Sequence, residues 1–306
     1  MAVEPNNNNA LYLGIDGGGS QCRARIVDGA GHLLGQGRSG PANPVHGFNQ
    51  AIDSIQSATH QALEQAGLSH SDIHELNAGL GLAGVNAPSY YKQMDAWQHP
   101  FKSLALTTDL HIACLGAHGG RDGAVIIIGT GSCGFASVGD KQVCYGGHGF
   151  PYGDKGSGAW IGLQAIKAAL LDLDDLGPET ALTNQIMHYY QLPKAPLALV
   201  EKVAAKPSAV YAKLAPLVFD AAAEQDPVAQ HILNEGSDYI DALAKKLLVL
   251  SPPALSLIGG VSTRMSRFLS KEVQAHIVQP EFQPDSGAIY FAQKHCIQAN
   301  TALEVN

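Results

Sequence analysis

Asp16 stands at the end of an apolar run, Leu11 to Ile15, and is followed at once by Gly17, Gly18, Gly19 and Ser20. A carboxylate placed there can face an incoming nucleotide and hold magnesium, usually through water. The glycines let backbone N–H groups converge on phosphate oxygens without side-chain interference, and the serine adds a hydroxyl. A second turn of this make, Gly129-Thr130-Gly131-Ser132, follows the apolar run Ala124 to Ile128, and a third, Gly259-Gly260, follows Leu255 to Ile258. Taken singly, each turn also reads as a tight hairpin with a capping side chain. Together, three glycine grips at strand ends point to a phosphate-bearing ligand. GxxxxGK[ST] occurs nowhere, and a dinucleotide fingerprint would open a helix where here a strand follows.

The elements that must aim these turns are legible in the spacing. Arg23 to Val27 alternates, Asp28-Gly29 offers a hairpin turn, and His32 to Gly37 completes three antiparallel strands. From Phe48 the period changes: Phe48, Ile52, Ile55, Thr59, Ala62, Leu63 and Ala66 predict one helix that Gly67 ends. Leu76 to Ala83 is a glycine-filled strand, the pattern of close backbone approach, and a further buried strand, Leu104 to Thr108, ends at Asp109. About 110 residues after the opening, the chain repeats its order of strand, glycine turn, strand, turn and strand, which predicts two similar sheet-based lobes. Beyond Gly158 it is mostly helical. Asp226-Pro227 predicts the start of a long helix reaching Leu250, a side-chain cap with proline in the first turn. Asp285 is expected to cap the last helix.

Composition narrows the class. At 306 residues the chain exceeds what one core usually fills. With 45% hydrophobic and 15% charged residues, it reads as an ordinary soluble globular protein. The net charge of −8 and the lack of a basic run argue against nucleic acid or an acidic membrane as partner. The apolar runs fall far short of the roughly 20 residues that a membrane helix needs. The Asn-rich start has no signal core and reads as an unstructured lead-in, which points to the cytoplasm. Five scattered cysteines, Cys22, Cys114, Cys133, Cys144 and Cys296, lack any CxxC pair and suit neither a zinc site nor a disulfide framework.

The succession IDGGGS, TTDLHIACLGA, IIGTGSCG, GDKGSGAWIG and LIGGVST resembles the actin/hexokinase/Hsp70 ATPase superfamily. Within it, the chain is similar to the amino-sugar kinases of the BadF/BadG/BcrA/BcrD type, both bacterial glucosamine kinases and N-acetylglucosamine kinases. The likeness runs from Leu11 to about Ala292. It implies an α/β, two-lobed, ribonuclease H-like (actin-like ATPase) fold with a duplicated mixed sheet and a cleft between lobes. The lobes are expected at residues 1–116 and 117–306, with the last helix, about 285–299, packing back on the first. The activity implied is phosphorylation of the 6-hydroxyl of N-acetylglucosamine or glucosamine by ATP with magnesium, in a cytoplasmic homodimer whose lobes close around the sugar.

The resemblance also assigns residues. Asp16 and Gly17 to Gly19, with Ser20, would hold magnesium and the phosphate tail. Gly129, Thr130, Gly131 and Ser132 would hold the other phosphates, and Gly259 and Gly260 the adenosine. Asp109, at a strand end, suits the carboxylate that accepts the hydroxyl proton during phosphoryl transfer, and it also reads as a cap for the helix from Leu110 to Ala117. Sugar contacts are expected from Asn43, Gly84, Asp109, Thr130, Tyr145, Gly147, Asp154 and Gly158, since a sugar site needs several short polar groups. SGPAN and YGDKGSGA look more like the bacterial glucosamine kinases than the mammalian enzymes, and the choice between a free amine and an acetamide stays open. The alternative is an ATPase activator of a partner dehydratase or reductase, whose relatives carry an iron–sulfur cluster on cysteines.

Overall fold

The structure is a computed structural model that describes residues 10–304. The Asn-rich start, read as an unstructured lead-in, lies outside the described residues. The chain divides into two compact units, 1–123 together with 280–306, and 124–279. The boundary therefore falls later than the expected 116/117, and the chain's last segment belongs to the first unit.

In the first unit β1 (Leu11–Gly17), β2 (Cys22–Val27) and β3 (Leu33–Ser39) form the antiparallel meander, and β4 (Leu76–Leu82) and β5 (Ser103–Thr108) extend it in parallel. The resulting order is β3-β2-β1-β4-β5. Helix α1 (Phe48–Gln65) buries Ile55, Ala58, Ala62 and Leu63 against one face, and Gly67 follows its end in the left-handed region. The amides of Gln36 and Arg38 on edge strand β3 donate to the side chains of Gln65 and Gln61, so α1 also covers part of the open edge. Short α2 (Pro88–Asp95) and then α3 (Asp109–Ala117) complete the segment.

The second unit holds β6 (Gly123–Ile128), β7 (Ser132–Val138), β8 (Lys141–Gly146) and β9 (Leu255–Ile258) in the order β8-β7-β6-β9, with β6 and β9 parallel and β7 and β8 antiparallel. This second mixed sheet repeats the arrangement of the first four strands. Between β8 and β9 come α4 (Gly158–Leu173), α5 (Ala181–Tyr190), α6 (Pro196–Val203), α7 (Ser208–Ala212), α8 (Ala215–Ala223) and α9 (Pro227–Leu248). After β9 follow the short α10 (Ser262–Met265) and α11 (Lys271–Gln274). Asp226 caps α9 as its position before Pro227 predicts, its Oδ1 accepting from Ala229 N at 2.8 Å, and its other oxygen accepts from Thr180 and Ala181.

Helix α12 (Pro284–Glu304) returns to the first unit and packs on α3, β1 and β4. The approach is close because glycine meets backbone: a β-carbon on Gly14 or Gly79 would overlap the carbonyl oxygens of Asp285 and Ala288. Asp285 is not the cap expected of it. The helix begins one residue earlier, and Asp285 pairs from its first turn with Arg25 Nε at 3.2 Å. Among the described residues no helix is long and apolar enough to cross a membrane.

Candidate active site

Strands β1, β4 and β5 run parallel with Gly17, Leu82 and Thr108 in register, so the chain leaves all three at one edge of the sheet. In open α/β sheets such carboxyl ends are where ligands bind. The Gly17–Gln21 turn is closed by Gly18 N donating to Gln21 O at 2.9 Å. It is tied to its neighbours twice: Ala83 N donates to Gly17 O at 2.8 Å, and Ala42 N to Gly18 O at 3.0 Å. Asn43 and Gly84 are thereby drawn together. Gly84 adopts a φ of +84°, and a β-carbon on it would run into Asn43 Oδ1, which accepts from Val45 N. Gly19 and Ser20 lie exposed at the tip.

Two carboxylates share this edge. Burial pushes Asp16 up from 3.8 to about 6; Arg23 counters the rise, while Asp109 and Asp285 add to it. Asp109 is likewise raised by burial, against the lowering effect of the Leu110 amide at 2.9 Å. The cap expected of Asp109 is made by Thr108, whose Oγ1 accepts from His111 N at 3.2 Å. Asp109 thus sits inside the first turn of α3, where the helix dipole favours its anion. Because Asp109 and Asp285 both add to the rise at Asp16, a cation placed there would relieve repulsion.

In the second unit the turn between β6 and β7 is closed by Gly129 N donating to Gly131 O at 2.9 Å. The start of α4 packs onto it, with Gly158 N donating to Gly129 O at 2.8 Å and Ala159 N to Thr130 O at 3.3 Å. Ser132 Oγ donates to Lys155 O at 2.8 Å, and Gly147 N donates to Ser132 O at 3.0 Å. Asp154, buried and at a φ of +59°, places Oδ2 2.7 Å from where a Gly131 β-carbon would be. The third turn joins through Val261 N, which donates to Ile128 O at 3.0 Å. Thr130, Gly147, Asp154, Gly158 and Gly259 are therefore gathered. Tyr145 stands exposed on β8 opposite Gly134, outside this set of hydrogen bonds.

Some residues here carry no sequence signal. A cavity of about 290 Å³ is lined by Gly129, Thr130, Gly260 and Val261 on one side and by Phe219, Pro216 and Arg264 on the other. The Arg264 guanidinium lies 4.7 Å over the Phe219 ring and is held by Asp220 at 2.5 Å. Arg23, facing Asp16 across β1 and β2, was also unmarked. Among the described residues no three His, Cys, Asp or Glu side chains form a metal cage, and the five cysteines form no disulfide.

Residues 13–292 match the model of the BadF/BadG/BcrA/BcrD ATPase family. The chain is 38% identical to glucosamine kinase GspK of Vibrio cholerae, over 92% of its own length and 96% of that protein's. It is 28% identical to N-acetyl-D-glucosamine kinase of Dictyostelium discoideum, over 92% and 97%. Among solved structures it superposes with a TM-score of 0.84 on a candidate N-acetylglucosamine kinase from Chromobacterium violaceum, at 29% identity and over 94% and 100% of the two chains.

Proposed function

Because the chain belongs to the BadF/BadG/BcrA/BcrD ATPase family, we propose that it is an ATP-dependent kinase acting on the 6-hydroxyl of glucosamine or N-acetylglucosamine. The observation that carries this reading is the pairing of Asp109 with Asp16 at the carboxyl edge of β1, β4 and β5, two half-buried carboxylates of raised pKa beside a glycine turn. The names of the relatives supply the substrate class.

In the reaction, Asp109 accepts the proton of the sugar hydroxyl as its oxygen bonds to the terminal phosphorus of ATP; the bond from that phosphorus to the bridging oxygen breaks, and ADP leaves. Asp109 also orients the hydroxyl, which raises the fraction of encounters in line for transfer. Asn43, Gly84, Thr130, Tyr145, Gly147, Asp154 and Gly158 are assigned to the sugar. The backbone of Gly17 to Ser20 and of Gly129 to Ser132 is assigned to the phosphates, and Gly259 and Gly260 to the adenosine. Phe219 and Arg264 wall the cavity beside Gly260, a shape and polarity that suit a base. Magnesium would be held by Asp16 through water, neutralising phosphate oxygens, a role that its crowded carboxylate environment fits. We assign the protein to the cytoplasm as a homodimer.

ADP release measured with glucosamine, N-acetylglucosamine, glucose and no sugar tests the assignment. The expected result is turnover dependent on one or both amino sugars. ATP hydrolysis indifferent to every sugar would reject it, and the ratio of kcat/KM for the two amino sugars sets the preference.

A further inference from the structure

On the face of the first sheet that carries α12, the side chains of β2 and β3 form a grid. Arg23 lies directly opposite Arg38, and Arg25 directly opposite Gln36. Like charges directly opposite one another across strands are destabilising, so this pairing is not explained by stability alone. The four residues line a cavity of about 260 Å³, closed at its end by Gln283 and Asp285 at the start of α12. Three guanidinium groups meet the Asp285 carboxylate there, and Asp16 faces Arg23 from β1, which leaves a local charge of about +1. Asp285 is already engaged with Arg25. Arg23 Nε is shut off from solvent and has no hydrogen-bond partner among the described residues, and such a group costs stability until it is satisfied. The N-terminus of the 21-residue α12 adds its dipole.

We propose that this cavity is a binding site for a small phosphomonoester, separate from the three glycine turns. A phosphomonoester is drawn by the net positive charge, its oxygens fit planar guanidinium forks, and the amides of Gln36 and Gln283 suit hydroxyls on the ester. The inference does not depend on the kinase reading, since none of the cavity's lining residues belongs to a glycine turn, although Arg23 lies beside Asp16 on the same face of the sheet.

The test is calorimetric titration of the whole protein, with magnesium, a non-hydrolysable ATP analogue and amino sugar present to fill the kinase site. The probes are inorganic phosphate and glucosamine 6-phosphate. One molecule is expected to bind per chain, and Arg38→Glu is expected to weaken binding about tenfold or more with a melting temperature no lower than wild type, because Arg38 is exposed and a glutamate there would face Arg23. Gln36→Glu, exposed on the same strand, should weaken it in the same direction and serves as the second variant. Binding of both probes supports a site reading the phosphoryl group alone; binding of the ester only supports one that also reads hydroxyls. Absence of binding by either probe at about 10 mM, far weaker than a useful metabolite site, or binding unaffected by both variants, would overturn the proposal.

Discussion

Asp154 holds its carboxylate 2.7 Å from the position a β-carbon on Gly131 would take, so the second glycine turn and the loop before α4 fit only because residue 131 has no side chain. Gly131→Ala is expected to push Asp154 or the turn aside while the unit stays folded. The KM for sugar and for ATP should both rise about tenfold or more. Steady-state kinetics with a thermal melt as control checks this, and unchanged kinetics would show that the contact has no functional weight.

Gly19 and Gly129 make the complementary case. A β-carbon on either would meet nothing within 4 Å, so Gly19→Ala and Gly129→Ala should leave the melting temperature within about 1 °C of wild type. If these turns cradle phosphates, the added methyl meets the ligand instead, and the KM for ATP should rise about tenfold or more. Normal ATP kinetics in both variants would remove the phosphate assignment.

Much of this arrangement was readable from local pattern. Glycine turns at strand ends, the Asp226-Pro227 start of α9 and the Gly67 stop after α1 are each decided by a few neighbouring residues, and all stand where spacing places them. Two expected caps failed on one-position detail: Thr108 offers a hydroxyl one residue earlier than Asp109 and caps α3, while α12 starts before Asp285, which turns instead to Arg25. Phe219 and Arg264 stayed hidden because their contact spans 45 positions and exists only once α8 packs near α10. The passage to the second unit at residue 123 depends on where β6 begins pairing with β9, which composition does not mark.

Asp16 gives a stability prediction with a definite sign. Its folded pKa is raised from 3.8 to about 6, so between those values the folded chain keeps a proton that the unfolded chain has lost. The contribution of this group therefore falls as pH rises through that window and is fully unfavourable above about 6. Asp16→Asn should raise the melting temperature of the ligand-free protein by about 2–4 °C at pH 7.5, and the gain should shrink toward pH 4. The same variant should lose about a hundredfold or more in magnesium-dependent turnover. A destabilised variant at pH 7.5 would contradict the assigned burial cost.

Gly287 tests the docking of α12. A β-carbon there would overlap the carbonyl oxygen of Ile112 on α3, and Gly287→Ala should cost about 1–3 kcal/mol or more by overpacking. A lowered urea midpoint checks it; an unchanged midpoint would mean that the two helices do not pack as closely as described.

The most direct test of the chemistry is Asp109→Asn, assayed for sugar-dependent ADP release beside direct binding of sugar and ATP. The substitution keeps shape and removes the proton acceptor. Turnover should fall by about two or more orders of magnitude while both affinities change by less than about threefold, and the wild-type kcat/KM should decline on the acid side at a pH above the ordinary aspartate value, in line with the raised Asp109. An Asp109→Asn protein that phosphorylates amino sugar at the wild-type rate would contradict the account.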